Sequence, residues 1–465
     1  MSLTLDYTNC LAEAIGATHG LTKSEVDTLV AKFPKHHENI DEQRANGECA
    51  FFDLPHQDTA EVKAALKKHQ GKWDNLVLIG SGGSALTAHA LLAALGHGAY
   101  NHLEPKARKG APRVFLVHNP DPRHVSDLFE VIDLKKTLFQ VVGRSGATPE
   151  TIALWLWLQD LLRKKVGKTA PQAQVIFSTD REKGALSDIA KQEKLDLLHV
   201  PGNLPGRFGA LGSTGLFLAG MCGFDIGKLL AGAADMDKRC RHGEPLRNPA
   251  YMHSLVHYLL TRKRRKTIHA MFAFSNRLHG VTQWYNHLCA VSLGKMLNRK
   301  GKAVHVGPTP VDALGPFDLH GQMQLYAEGP FDKVVTFLTV KDHGAKLVAA
   351  GGMYPKVEQA AYLANADFTT LLDCGRIAAE QAITASGRPN MAITLDQVDE
   401  SSVGGLLYML MLSTAMSAEL YGIDPFDQPG VEHQKQAMFA QLGRAGFEDL
   451  AKRIKDYRAL ARRTC

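Results

Sequence analysis

The stretch Leu76-Val77-Leu78-Ile79-Gly80-Ser81-Gly82-Gly83-Ser84 decides how this chain is read. Four apolar residues in a row, two of them β-branched, read as a strand covered on both faces. The Gly/Ser run ends that strand. Ala85 to Leu95 then has the composition of a helix. Strand, glycine loop and helix in succession open a βαβ unit of a parallel sheet.

The same grammar continues outward. Arg113 to Val117 is a second strand, ending at His118-Asn119-Pro120-Asp121-Pro122. Thr137 to Val142 is a third, ending in Gly143-Arg144-Ser145-Gly146-Ala147-Thr148. A helix follows from Pro149 to Lys164, with proline well placed in its first turn. Gln174 to Ser178 is a fourth strand. The pattern then repeats more loosely: Leu255 to Leu260 as helix, Ile268 to Phe274 as strand, Trp284 to Leu297 as helix, Val334 to Leu338 as strand. The fold class is α/β, with two tandem domains of parallel sheet flanked by helices. The expected layout is a charged helical segment over 1–50, a first α/β domain over 51–230, a second over 231–420, and a C-terminal helical arm over 421–465.

Composition narrows the class. The chain has 465 residues, 45% of them hydrophobic, enough for a large core. Length suggests two or three domains of ~150 residues each. A net charge of +7 mildly favours anionic ligands but does not point to nucleic acid. The basic run Arg262-Lys263-Arg264-Arg265-Lys266 reads as a solvated connector ahead of an apolar strand. Lys452 to Arg463 alternates basic and apolar residues, as a surface helix does. The seven cysteines (Cys10, Cys49, Cys222, Cys240, Cys289, Cys374 and Cys465) form no CxxC and are odd in number. That fits reduced thiols in a cytoplasm and argues against disulfides or a metal site. Met1 to Glu13 has no basic residue and is no secretory signal. Phe208 to Phe224 and Ser401 to Ala418 are uncharged, but their Gly, Ser and Thr content suits buried core helices rather than membrane spans.

The chemistry lies in the two loops, Gly80 to Ser84 and Gly143 to Thr148. Each follows a strand and opens a helix. Glycines admit a close backbone approach, helix N-termini offer free N–H groups with a favourable dipole, and hydroxyls add donors. Arg144 adds a charged one. Gly80 to Ala85 also fits GxGxxA, but the second strand ends in Asn119, not in the acidic residue a ribose would want. A nicotinamide site is therefore disfavoured. Plain tight turns remain an open reading, and two hydroxyl-rich loops favour a sugar phosphate.

Six segments resemble the phosphoglucose isomerase family in their order along the chain. Ile79 to Ser84 resembles I-G-x-G-G-S. Ser145 to Thr151 resembles the phosphate loop S-G-T-T-x-E-T. Pro205-Gly206-Arg207-Phe208 resembles G-G-R-F. Trp284 to Lys295 resembles W-x-x-Q-L-x-x-E-S-L-G-K. Thr309 to His320 resembles T-P-V-x-A-L-G-x-x-D-Q-H. Pro425 to Lys435 resembles N-P-F-D-Q-P-x-V-E-x-x-K. The resemblance implies two sugar-isomerase domains, a homodimer with shared sites, and interconversion of glucose 6-phosphate and fructose 6-phosphate without metal or organic cofactor. In that chemistry the ring opens and a proton moves between C2 and C1 through a cis-enediolate. The resemblance implies His320, supplied by the neighbouring subunit, and Lys435 for ring opening. It implies Arg207 beside the enediolate. It implies Gly83, Ser84, Arg144, Ser145, Thr148 and Glu150 around the sugar phosphate.

Departures fall inside these motifs. Val291 stands where the pattern has its base carboxylate, and valine cannot accept a proton. Leu319 and Gly321 replace an amide and a hydroxyl beside His320. Gly143 and Ala147 remove two hydroxyls from the phosphate loop, with Arg144 keeping the charge. Three expectations follow. Asp312 or Glu150 substitutes as base; or the chain opens rings and interconverts anomers but isomerises weakly; or it binds a hexose phosphate without turnover.

Overall fold

The structure, a computed structural model, describes residues 3–459. Cys465 and the end of the basic tail, 460–463, lie outside the described residues. Twelve strands are present among the described residues: β1 (Leu3–Asp6), β2 (Asn75–Ile79), β3 (Arg113–Val117), β4 (Thr137–Val142), β5 (Val175–Thr179), β6 (Asp196–His199), β7 (Ile268–Ala273), β8 (Lys295–Leu297), β9 (Ala303–Val306), β10 (Thr309–Leu314), β11 (Lys333–Asp342) and β12 (Asn390–Gln397).

The first sheet has the order β3-β2-β4-β5-β6 and is parallel throughout. Every residue of β2 and of β4 is buried, as strands covered on both faces require. Each fully buried Leu, Val or Ile there contributes roughly 1.5–3 kcal/mol. From β2 the chain crosses to β3 on one side and then returns to place β4 on the other. The carboxyl ends of β2 and β4 therefore border the crevice where such sheets hold ligands. The two Gly/Ser loops are the segments that leave those ends.

The second sheet has the order β1-β12-β11-β7-β10. Four strands are parallel, and β1 closes the edge antiparallel to β12, Leu3 opposite Leu395. This bears out the tandem α/β class and corrects the N-terminal segment, which is not helical throughout. Leu3 is buried and Thr4 and Asp6 are exposed, so β1 alternates as a half-covered edge strand does. Helices at Lys23–Val30 and Phe33–Ala45 follow it.

Two further expectations shift. The helix containing Trp284 runs over Asn276–Leu293 and stops at Gly294; Lys295–Leu297 is instead a strand paired with Ala303–Val306. The basic run is only partly a solvated connector. Lys266 is buried with Nζ donating to the Phe331 carbonyl at 2.7 Å, and Arg264 forms a fork with Glu25.

The helix Glu400–Tyr421 is long and apolar enough to cross a membrane, yet its apolar window lies wholly inside the molecule. It packs against Ile226–Cys240, Pro249–Arg264 and Asn276–Leu293 and joins the two sheets in one core. After Gly422 the chain forms the helices Pro429–Gln441 and Glu448–Ala459, the second with no buried residue. Pro429–Gln441 packs on Pro149–Lys165, which carries the C-terminal segment back over the first sheet.

Candidate active site

The first loop is shaped by its glycines. Gly82 adopts φ +60°, and the helix Gly83–Leu95 begins directly after it. At Gly83 a Cβ would stand 2.4 Å from the backbone nitrogen of Arg207. Only glycine lets the Pro205-Gly206-Arg207 turn approach this closely, so the loop and the turn form one wall.

The second loop turns at Gly146, φ +58°, where a Cβ would stand 2.7 Å from the Leu186 nitrogen. Thr148 is the N-cap of Pro149–Lys165, but its side chain caps nothing. Its hydroxyl is thus unspent on the helix and available to a ligand. Two helix N-termini converge here, an arrangement that favours an anion. Arg144 spends one hydrogen bond, Nη1 to the Gly202 carbonyl at 3.2 Å.

Arg207 is buried, and most of its fork is engaged. Nε donates to Ser292 Oγ at 2.9 Å and Nη1 to Gln428 Oε1 at 3.0 Å. Nη2 donates to the carbonyls of Pro425 at 2.6 Å and Asp427 at 2.9 Å. Of the five N–H groups of a guanidinium, one on Nη1 remains. Burial lowers its pKa to about 10, so it stays charged at neutral pH. Lys295 reinforces the same junction, its Nζ reaching the Val291 carbonyl at 3.0 Å and the Asp427 carbonyl at 2.8 Å.

These elements line one cleft that opens to solvent. Gly83, Ser84, Arg144, Ser145, Thr148, Glu150, Arg207, Val291 and Lys435 all line it. Lys435 enters from Pro429–Gln441 and spends one donor on Glu432 at 2.8 Å. His320 does not line the cleft within one chain. It is exposed at the end of the turn Phe317–Leu319. Asp312 does not line it either. It is held by His279 Nε2 at 3.0 Å and Asn286 Nδ2 at 2.7 Å, and the His279 bond is the main cause that lowers its pKa.

A family model for phosphoglucose isomerase matches residues 56–328. The chain belongs to the phosphoglucose isomerase family. A glucose-6-phosphate isomerase of Carboxydothermus hydrogenoformans is 36% identical over 457 residues, covering 98% of this chain and 97% of that protein. One from Rubrobacter xylanophilus is 36% identical over 388 residues, covering 83% and 87%. Among solved structures, a hypothetical protein from Thermus thermophilus aligns with a TM-score of 0.82 at 28% identity, covering 96% of this chain and 100% of that one. A glucose-6-phosphate isomerase from Chlamydia trachomatis aligns with a TM-score of 0.80 at 19% identity, covering 99% and 92%, a likeness of fold.

His287 is a cleft residue at which this chain departs from the phosphoglucose isomerase pattern. His287 lines the cleft one helical turn before Val291, at the position where the W-x-x-Q-L-x-x-E pattern has glutamine. Burial, with Arg207 nearby, lowers its pKa to about 4, so it is neutral at pH 7. The departure from that glutamine was the available signal.

Proposed function

We propose that this chain is an aldose–ketose isomerase that interconverts glucose 6-phosphate and fructose 6-phosphate. The observation that carries this is the convergence of both Gly/Ser loops, Arg207 and Lys435 on one cleft at the switch point of the first sheet. Relatives that bear this activity in their names match nearly the whole chain.

In this reading Ser84, Ser145, Thr148 and Arg144 hold the phosphate with the helix N-termini. Lys435, with two unspent N–H groups, assists ring opening. The buried charge of Arg207 and its remaining N–H stabilise the enediolate oxygen as charge develops there. His320, exposed on its own chain, is supplied to the cleft of a second copy, so a homodimer completes each site. A coarser reading, a hexose-phosphate binder or anomerase, is favoured by one observation: the side chain at 291 cannot accept a proton.

A coupled assay with fructose 6-phosphate separates the two. The isomerase reading expects turnover by the native protein together with a rise in Tm on adding substrate. A rise in Tm with no turnover, followed by a large gain in Val291→Glu, supports the binder instead. If neither effect is seen with any hexose 6-phosphate, both readings fail.

A further inference from the structure

Resting on the isomerase reading, we propose that His287 is the base that carries the proton between C2 and C1, in place of the carboxylate absent at position 291. The titratable side chains that line the cleft are Arg144, Glu150, Arg207, His287 and Lys435. Three are cations with ordinary tasks in this chemistry. A proton carrier must be unprotonated at neutral pH and must face the sugar carbons. His287 meets the first condition, burial holding its pKa at about 4, and Glu150 is the one carboxyl in the lining.

Glu150 sits in the first turn of Pro149–Lys165, immediately beyond Thr148. A carboxylate there stands beside the phosphate and shares its sign. His287 lies on Asn276–Leu293, four residues before Val291. Residues four apart share one helical face, with Cβ atoms about 5–6 Å apart. The proton-accepting group has thus moved one turn along the face that the family pattern uses. The ring reaches across the cleft wall to the first loop: Cε1 and Nε2 lie 3.7 and 3.8 Å from where a Cβ on Gly82 would be. No hydrogen bond to its ring nitrogens is present among the described residues, so neither nitrogen is already committed. Burial and the Arg207 charge keep the ring neutral, with a pKa of about 4, close to that of a carboxylate. The same Arg207 charge stands ready for the oxyanion.

The step balances without a co-reactant. A ring nitrogen of His287 takes the C2 proton of the open-chain aldose. The C2–H electron pair becomes the C1=C2 bond, and the carbonyl π pair moves onto O1. The O2 proton passes to O1. The imidazolium then returns its proton to C1 as O2 becomes the ketone oxygen.

The test compares native protein, His287→Gln and His287→Asn in three measurements: the coupled isomerase assay, NMR of solvent deuterium entering C1 of fructose 6-phosphate, and NMR exchange between the anomers of glucose 6-phosphate. Ring opening needs no base at carbon. Both variants are therefore expected to lose isomerisation and deuterium entry by ~10² or more while keeping anomer exchange and the substrate-induced rise in Tm. Adding Val291→Glu to His287→Gln is expected to restore deuterium entry. Three results overturn the assignment: deuterium entry at the native rate in His287→Gln; equal loss of anomer exchange and deuterium entry in both variants; or loss of deuterium entry in Glu150→Gln with retention in His287→Gln. If the native protein itself shows neither turnover nor deuterium entry, the isomerase reading falls instead, and the variants are not needed to see it.

Discussion

Asp237 and Glu419 lie buried with complete sets of partners, whereas Arg144, Lys435 and His287 face the cleft with hydrogen-bonding capacity unspent. Asp237 accepts from Arg44 at 2.8 Å, Tyr408 at 2.6 Å, His56 at 2.8 Å and Arg241 at 3.2 Å. Glu419 accepts from Asn39 at 2.6 Å, from His36 at 3.3 Å, and from Arg299. Burial alone would raise both carboxyls, but these partners hold each at about 2. In the cleft, Arg144 and Lys435 each spend one donor on the protein. Fully partnered charge fixes elements to one another, while charge with spare donors is set for a ligand. Arg207 belongs to both groups, with four N–H groups tied and one left.

Arg207 is therefore where a substitution should break the contrast most completely. Arg207→Ala strips donors from Ser292, Gln428 and the Pro425 and Asp427 carbonyls, of which Asp427 keeps Lys295. At about 1–3 kcal/mol per orphaned buried group, partly relieved by water, the loss is expected near 3 kcal/mol. Turnover should fall at the same time. Denaturant midpoints and the coupled assay should move together, and loss of activity at unchanged stability would show that the four hydrogen bonds hold nothing.

Lys435→Ala should separate the two groups. Its single protein bond is to Glu432, a half-exposed partner, and such pairs contribute little to stability. The expected result is a fall in kcat of ~10² with a native denaturant midpoint. A shift of the midpoint as large as that of Arg207→Ala would place Lys435 with the structural charges.

Asp237 tests the other side of the contrast. Its pKa is lower folded than unfolded, about 2 against an ordinary 3.8. Its contribution is therefore full above pH ~4 and lost as pH falls toward 2, about 2 kcal/mol in all. In Asp237→Asn the decline of stability between pH 4 and pH 2 should flatten while kcat at neutral pH stays native. An unchanged acid limb in urea titrations would remove Asp237 from the hub.

Much of this arrangement was legible in the chain because it is local. The strand and glycine loop at Leu76 to Ser84, and the second loop at Gly143 to Thr148, each carry apolar run, turn residues and helix start within a few positions. β1 was not legible. Leu3-Thr4-Leu5-Asp6 alternates, but four residues give a weak signal and the partner strand starts at Asn390. His287 was one of 21 histidines, on a helix whose cleft-facing side only the packing reveals. The partly buried basic run escaped for a similar reason: the acceptors of Arg264 and Lys266, Glu25 and the Phe331 carbonyl, are remote in sequence. His320 was legible through resemblance alone, and a single chain does not bring it to the cleft.

Arg144 supplies the smallest and cleanest separation. It stands on the second loop, where this chain lacks two hydroxyls of the phosphoglucose isomerase pattern, and its side chain makes one protein hydrogen bond, to Gly202. Its remaining donors are free to form a charge-assisted bond to phosphate, a group present unchanged in ground state and transition state alike. Such uniform binding lowers KM without raising kcat. Arg144→Ala is expected to raise KM about tenfold, the equivalent of ~1.4 kcal/mol, at nearly native kcat. Arg144→Lys should recover part of it, because a lysine keeps the charge but not the fork. A fall in kcat at unchanged KM would mean that Arg144 acts on the reacting carbons, and the division between a phosphate-holding loop and a proton-moving helix would have to be redrawn.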